Sequence, residues 1–324
     1  MRQGTLAQAA QLPNRMPAWC IPYSGLGLLG PVCIQGKSRT VFSFCLQYLG
    51  HSERGCRAGG VGGDCGHGCR EKVLGVAFDG TGYGADGRLW GGEFLLADLA
   101  GYERLGHCRY LPLPGGAKAV REPWRQAAWV MQQLYGDDFA SRQPGFARQL
   151  PAGVELLLQA TAAGISAPLT SSAGRLFDTA AALLGLRLYN TFEGQAAIEL
   201  EAAAGGRTGC VLPYELTAAN VLDFCPSFAA LLARLQQGRD RADLAADFHA
   251  TVAAAAEAVV RRLACQCGVR TVALSGGVFQ NMTLLRQLVE RLQGDFTVLV
   301  NRQVPANDGG ISLGQAAVAR ERGW

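Results

Sequence analysis

Two glycine turns near the C-terminus carry the residues best suited to chemistry. Val272-Ala273-Leu274-Ser275-Gly276-Gly277-Val278-Phe279-Gln280-Asn281 reads as a buried strand, a tight Gly-Gly turn and then a helix. A turn without side chains lets a phosphate or the flat face of a ligand approach the backbone, and the following helix offers free N–H groups. Asn307-Asp308-Gly309-Gly310-Ile311-Ser312-Leu313-Gly314-Gln315 repeats the pattern with an acid at the turn. An Asp beside such a loop can hold a metal or a water next to phosphates. Two such loops in one chain suggest a nucleotide site built from several turns.

Two further turns belong with them. The apolar run Val73–Phe78 leads into Asp79-Gly80-Thr81-Gly82-Tyr83-Gly84, and Leu89-Trp90-Gly91-Gly92-Glu93-Phe94-Leu95-Leu96 reads as a returning strand. Together they suggest a β-hairpin whose tip can wrap an anion, the plain alternative being a glycine-rich hairpin without a ligand. Ser171-Ser172 can cap the apolar helix that follows, with Arg175 and Asp178 one turn apart on one face. The plain reading there is a capped helix with a surface ion pair.

The elements that must position these turns alternate between strand and helix, which argues an α/β fold. Strands are expected at Val73–Phe78, Leu89–Ala97, Thr271–Leu274 and Phe296–Val300. Helices are expected over 123–134, 146–163 with a break at Pro151-Ala152-Gly153, 169–186, 193–204, 226–237, 242–267, 282–292 and 310–320. In the long helix Leu244, Phe248, Val252, Ala255, Val259 and Leu263 form an apolar stripe, read as packed core. His249 beside it is expected to be half-exposed, and Cys265 and Cys267, wrongly spaced for a redox pair, to be core cysteines. His107 and Cys108 precede a proline loop and are read as solvated or core. Ser275 has no identifiable histidine partner for nucleophilic catalysis.

Read together, residues 77–84, 90–94, 170–178, 192–201, 275–281 and 307–315 resemble the C-terminal part of HypF, the carbamoyltransferase family of nickel–iron hydrogenase maturation. Pro-Leu-Pro-Gly-Gly at 112–116 and Arg-Glu-Pro-Trp-Arg at 121–125 are similar to it as well. The resemblance runs from about Val73 to Ala319. It implies an α/β fold of the actin/hexokinase/heat-shock-ATPase superfamily, in which two lobes hold a nucleotide, with the first lobe missing or degenerate in this chain. It also implies a cytoplasmic protein that passes a carbamoyl group from carbamoyl-adenylate to the C-terminal cysteine of a HypE-like partner. The adenylate would be made from carbamoyl phosphate and ATP in another domain.

Carried over residue by residue, the resemblance places Asp79 and Asp308 at a divalent metal (Mg, Zn or Fe) beside the phosphates. Asp79, Thr81 and Arg175 would be catalytic. Gly80, Gly82, Ser172, Gly174, Asp178, Gly276, Gly277 and Asn281 would border ATP or carbamoyl-adenylate, with Glu193 and Gln195 as further candidates. The family completes its metal site with two histidines of an HxxxH helix shortly before the Asp79 strand. The histidines here are His51, His67, His107 and His249, and none has another four residues away. Two imidazoles therefore cannot project from one helical face, and the metal site is expected to be incomplete. Two alternatives stay open: a non-catalytic nucleotide-binding remnant, or an ATP-dependent phosphotransferase of the same superfamily.

Residues 1–72 match nothing expected of the family. They hold Cys20, Cys33, Cys45, Cys56, Cys65 and Cys69 among eleven cysteines, and carry +5 of a net +4, leaving −1 for the remainder. A zinc module using Cys56, Cys65, His67 and Cys69 lacks any clean CxxC pair, and a disulfide framework needs an export signal that is not visible. The segment is read as unassigned, disordered or mistranslated, from a frameshifted or misassigned start that would also delete the HxxxH helix. With 49% apolar residues, the 324-residue chain can bury one or two domains. No apolar run approaches the ~18 residues of a membrane span. No basic cluster with interleaved aromatics suggests nucleic-acid binding.

Overall fold

A computed structural model describes residues 72–98, 101–302, 305–312, 314 and 316. The expectations for residues 1–71, zinc module and altered start included, lie outside the described residues, as does most of the helix expected over 310–320.

One mixed sheet organises the described residues. Its strands are β1 (Val73–Tyr83), β2 (Leu89–Ala97), β3 (Tyr102–Cys108), β4 (Leu111–Pro112), β5 (Leu169–Thr170), β6 (Glu215–Leu216), β7 (Val221–Asp223), β8 (Thr271–Ser275) and β9 (Thr297–Val300). The order is β6-β7-β3-β2-β1-β8-β9, with β5 pairing both β2 and β4. β1 is antiparallel to β2 but parallel to β8, which in turn runs parallel to β9. The parallel connection is the longer one and carries helices, as parallel pairing requires. The expected hairpin is present, but β1 continues to Tyr83 through an irregularity between Phe78 and Gly82, so residues 79–81 form a bulge rather than the tip. Gly84 to Arg88 make the tip, closed by the Gly84 N–H to the Arg88 carbonyl at 2.8 Å.

The longer helices among the described residues are α1 (Trp124–Tyr135), α2 (Val154–Ala162), α3 (Ala173–Leu183), α4 (Gln195–Ala204), α5 (Cys225–Gln236), α6 (Arg241–Cys267) and α7 (Met282–Leu292). They bury one face of β1, where Leu74, Val76 and Phe78 join a cluster with Phe177, Phe228, Phe248, Val252 and Leu288. Alternation places Val73 and Ala77 on the other face, beside Leu95, Ala97, Ala273 and Leu299. β1 is therefore buried on both faces, which is why it reads as a continuous apolar run. The entire α6 stripe from Leu244 to Leu263 is core. Thr170 lies in strand β5, so α3 begins only after Ser172.

Structure and expectation differ at several places. β3 (Tyr-Glu-Arg-Leu-Gly-His-Cys) is a strand that the sequence pattern does not predict; its half-buried, polar-rich makeup hides the period-2 signal. Cys265 is exposed and Cys267 partly exposed rather than core, because they fall on the solvent side of the last turn of α6. His249, on the buried side, is fully enclosed instead of half-exposed. Among the described residues no helix is long and apolar enough to cross a membrane.

Candidate functional site

The carboxyl ends of two parallel strands bring the glycine turns together. β1 and β8 pair with Ala77 opposite Ser275, so the residues that follow, Asp79 and Gly277, emerge side by side. In open α/β sheets this edge is where ligands sit. Gly276 makes the turn at φ 105°, and a Cβ there would lie 2.0 Å from the Phe78 carbonyl oxygen. Only glycine allows so close a passage. The Gly276 N–H then donates to the Ala306 carbonyl at 3.1 Å, drawing the Asn307-Asp308-Gly309 turn alongside. Asn307 caps that turn by accepting from the Gly309 N–H at 3.0 Å.

Asp79 stands at the centre. Its Oδ1 accepts from the Gly80 N–H at 2.8 Å and from the Gly277 N–H at 3.4 Å. Burial pushes the Asp79 carboxyl up to about 6; the Asp308 and Glu193 charges add to this, while the two N–H donors oppose it. The exposed Glu193, in the loop before α4, also adds its charge to the rise of Asp178. Thr81 is exposed, and its hydroxyl donates to the Gly80 carbonyl at 2.6 Å.

The second wall is the start of α3. Ser172 caps the helix by accepting from the Arg175 N–H at 3.1 Å. The same hydroxyl lies 2.8 Å from the Asp79 carbonyl and 2.6 Å from the Gly80 carbonyl, fastening the helix to the bulge. Gly174 lets the two backbones touch, since a Cβ there would lie 2.9 Å from Gly80 Cα. A Cβ on Gly80 would meet the Arg175 guanidinium Nη2 at 3.8 Å, so Arg175 borders the bulge. Arg175 Nη2 is 2.8 Å from Asp178 Oδ2, both side chains being almost wholly buried. The expected surface ion pair is thus an interior one, because the face of α3 that carries it packs against β1 and α4. Burial raises Asp178, with the Arg175 charge opposing. Among the described residues, Arg175 Nε and Nη1 have no hydrogen-bond partner.

The candidates therefore divide. Asp79, Gly80, Ser172, Gly174, Arg175, Asp178 and Gly277 converge, with Glu193 and Asp308 facing Asp79. Gly276 shapes the turn and Gly82 lies buried where β1 resumes its pairing with Trp90. Asn281 is committed elsewhere: its Oδ1 caps α7 through the Leu284 N–H at 2.9 Å and its Nδ2 lies 2.8 Å from His249 Nε2. Gln195 is turned to Thr191 and Glu199, at 2.7 Å from the Thr191 N–H and 3.0 Å from Glu199 Oε1. Sequence reasoning missed Glu93, an acid in the middle of an apolar strand and 1% exposed; that misplacement was its visible signal. A cavity of about 500 Å³ lined by Glu122, Trp124, Arg125, Leu156 and Tyr189 contains none of the convergent residues.

A resident metal does not fit these residues. Among the described residues no group of three or more His, Cys, Asp or Glu side chains could hold a metal ion. Asp79 and Asp308 supply two carboxylates, and Asp79 Oδ1 is already engaged by two N–H donors.

Known proteins resemble this chain in sequence and fold. A family model described as the carbamoyltransferase, Kae1-like domain, second subdomain matches residues 75–315. Carbamoyltransferase HypF2 of Cupriavidus necator is 42% identical over 287 residues, covering 79% of this chain and 34% of that protein. Carbamoyltransferase HypF of Rhizobium leguminosarum bv. viciae is 40% identical over 252 residues, covering 77% and 32%. The chain thus spans about a third of the length of these relatives. A crystal structure of full-length HypF in the phosphate- and nucleotide-bound form matches with a TM-score of 0.76 at 33% identity, over 88% of this chain and 42% of that one. HypF of T. kodakarensis matches with a TM-score of 0.69 at 30% identity, over 78% and 34%. On these matches, this chain belongs to the HypF carbamoyltransferase family, as a C-terminal, Kae1-like α/β region.

Proposed function

We propose that residues 73–324 form a nucleotide-binding unit that holds ATP or carbamoyl-adenylate and moves the carbamoyl group to the C-terminal cysteine of a HypE-like protein. The observation that carries this reading is the meeting of the Asp79–Gly80 bulge, the Gly276-Gly277 turn and the Arg175 guanidinium at one sheet edge. Small residues there leave backbone open to phosphate, and a buried cation with two unpartnered nitrogens suits an anion.

In the transfer step the partner's thiolate attacks the carbamoyl carbon. A C–S bond forms, the bond from that carbon to the phosphate oxygen breaks, and AMP leaves with the electron pair; the thiol proton has already gone to solvent. Negative charge grows on the carbonyl oxygen and on AMP, so fixed donors aimed at those oxygens accelerate the step. Arg175 is assigned that role, while the Gly80 and Gly277 N–H groups are held in place by Asp79, with Asp308 beside it. No step is routed through a metal, since the donor set is incomplete.

A second reading, nucleotide binding without transfer, is favoured by that incomplete donor set. Calorimetric titration of Mg-ATP into the full chain tests the first half of the proposal, and carbamoylation of a cysteine-terminated acceptor by added carbamoyl-adenylate tests the second. Binding with carbamoylation supports the proposal. Binding without it leaves the second reading, and failure to bind removes both.

A further inference from the structure

Glu93 is a carboxylate in the middle of strand β2, 1% exposed, among Trp90, Phe94 and Leu95 of the core. Such a group is retained only where hydrogen bonds compensate for its lost hydration. Its Oε2 accepts from the Gly91 N–H at 2.6 Å and the Gly92 N–H at 2.7 Å. Its Oε1 accepts from the Ser171 hydroxyl, itself buried. One side chain therefore gathers two consecutive glycine amides of β2 and the residue two places before α3.

Both partners lean on the candidate site. A Cβ on Gly91 would lie 2.5 Å from the Asp79 carbonyl oxygen and 3.1 Å from Ser172 Cα, and one on Gly92 would lie 2.3 Å from the Ser171 carbonyl oxygen. The glycine pair is the floor on which the Asp79 bulge and the Ser171-Ser172 loop rest. Ser172, next to the residue Glu93 holds, fastens the Asp79 and Gly80 carbonyls and caps α3 ahead of Arg175. We infer that Glu93, through Ser171 and the Gly91-Gly92 amides, is a positioning residue that sets the Asp79–Gly80 bulge and the start of α3 in register with each other. It touches no ligand.

The geometry defines which replacement works. In Glu93→Gln the new side-chain carbonyl oxygen can accept both glycine N–H groups, and its NH2 can donate to Ser171 Oγ. The Ser171 proton then turns to the Leu89 carbonyl, 3.4 Å away. Glu93→Ala orphans all three donors. The lever rests on the site proposed above, but its test does not.

The test compares amide hydrogen exchange of the unliganded, full-length protein with that of Glu93→Ala, Glu93→Gln and Ser171→Ala, followed by Mg-ATP titration of each. Expected is exchange about tenfold faster in Glu93→Ala over residues 79–83 and 172–176 as well as 91–94, with α6 unchanged. Below about pH 7, where the Glu93 carboxyl keeps its proton, Glu93→Gln should match the wild type. If Glu93→Ala does not fold, Ser171→Ala serves, with the same pattern at about half the logarithmic increase. Faster exchange confined to 91–94 would overturn the inference, as would a Glu93→Gln variant as perturbed as Glu93→Ala. A wild type that fails to bind Mg-ATP removes the nucleotide reading and leaves the exchange result standing. Where the wild type binds, loss of affinity in Glu93→Ala restored in Glu93→Gln is the expected second readout.

Discussion

Asn281 Nδ2 lies 2.8 Å from His249 Nε2, joining the Gly276-Gly277 turn to the longest helix of the described chain. His249 Nδ1 faces the Ala245 carbonyl at 2.7 Å. A carbonyl can only accept, so Nδ1 carries the proton and Nε2 accepts from the Asn281 amide. Burial lowers the His249 pKa, which keeps this neutral form in place. Asn281→Ala removes both the cap of α7 and the histidine's partner. It should destabilise the protein by about 2 kcal/mol in urea unfolding. Asn281→Asp keeps the cap but presents an acceptor to Nε2, so the His249 pKa measured by NMR should rise.

Neighbouring glycines should behave differently. Gly276→Ala places a methyl 2.0 Å from the Phe78 carbonyl at a positive φ and should cost about 3 kcal/mol or more, read from the unfolding midpoint. At Gly277 the nearest atom is Asp79 Oδ1, at 3.1 Å. Gly277→Ala should leave stability within about 1 kcal/mol and weaken Mg-ATP binding in calorimetry.

The Arg175–Asp178 pair is interior, so removing one partner leaves an uncompensated charge. Arg175→Ala should cost about 3–5 kcal/mol in chemical unfolding, against the ~0.5 kcal/mol of an exposed pair. A small loss would mean that water reaches the pair.

Stability should fall with pH through Glu93. Burial is the main cause that lifts its carboxyl to about 7; Ser171, Arg104 and the Gly91 and Gly92 amides oppose it, and Cys108 is the other titratable neighbour. The folded state therefore keeps a proton that the unfolded chain releases at about 4.5. Its contribution is complete below that value and is lost as pH rises through about 7. The wild type should lose on the order of 3 kcal/mol relative to Glu93→Gln over this window, measured by urea unfolding at a series of pH values. A difference constant with pH would exclude the titration.

Asp308→Ala should reduce carbamoyl transfer more than nucleotide affinity, as expected of an acid that acts where the phosphate departs. Equal loss of both, measured by calorimetry and acceptor carbamoylation, would make Asp308 a residue that only shapes its loop.

Much of the fold was legible locally. Apolar runs ending in glycine marked β1 and β8, the period of α6 marked its buried stripe, and Ser172 announced its helix, because these are short-range effects of side-chain size and backbone freedom. The family words at 77–84, 170–178 and 275–281 likewise named the turns that converge. The tertiary structure alone decided what those turns do to each other. Parallel pairing of β1 with β8 set Asp79 against Gly277 across 198 residues of sequence, and no local pattern encodes that register. Burial then converted an expected surface pair, Arg175 and Asp178, into an interior one, and gave Glu93 its three donors. Position along the chain determines which groups a residue carries, whereas hydration and charged neighbours, which control its chemistry, exist only once distant segments pack.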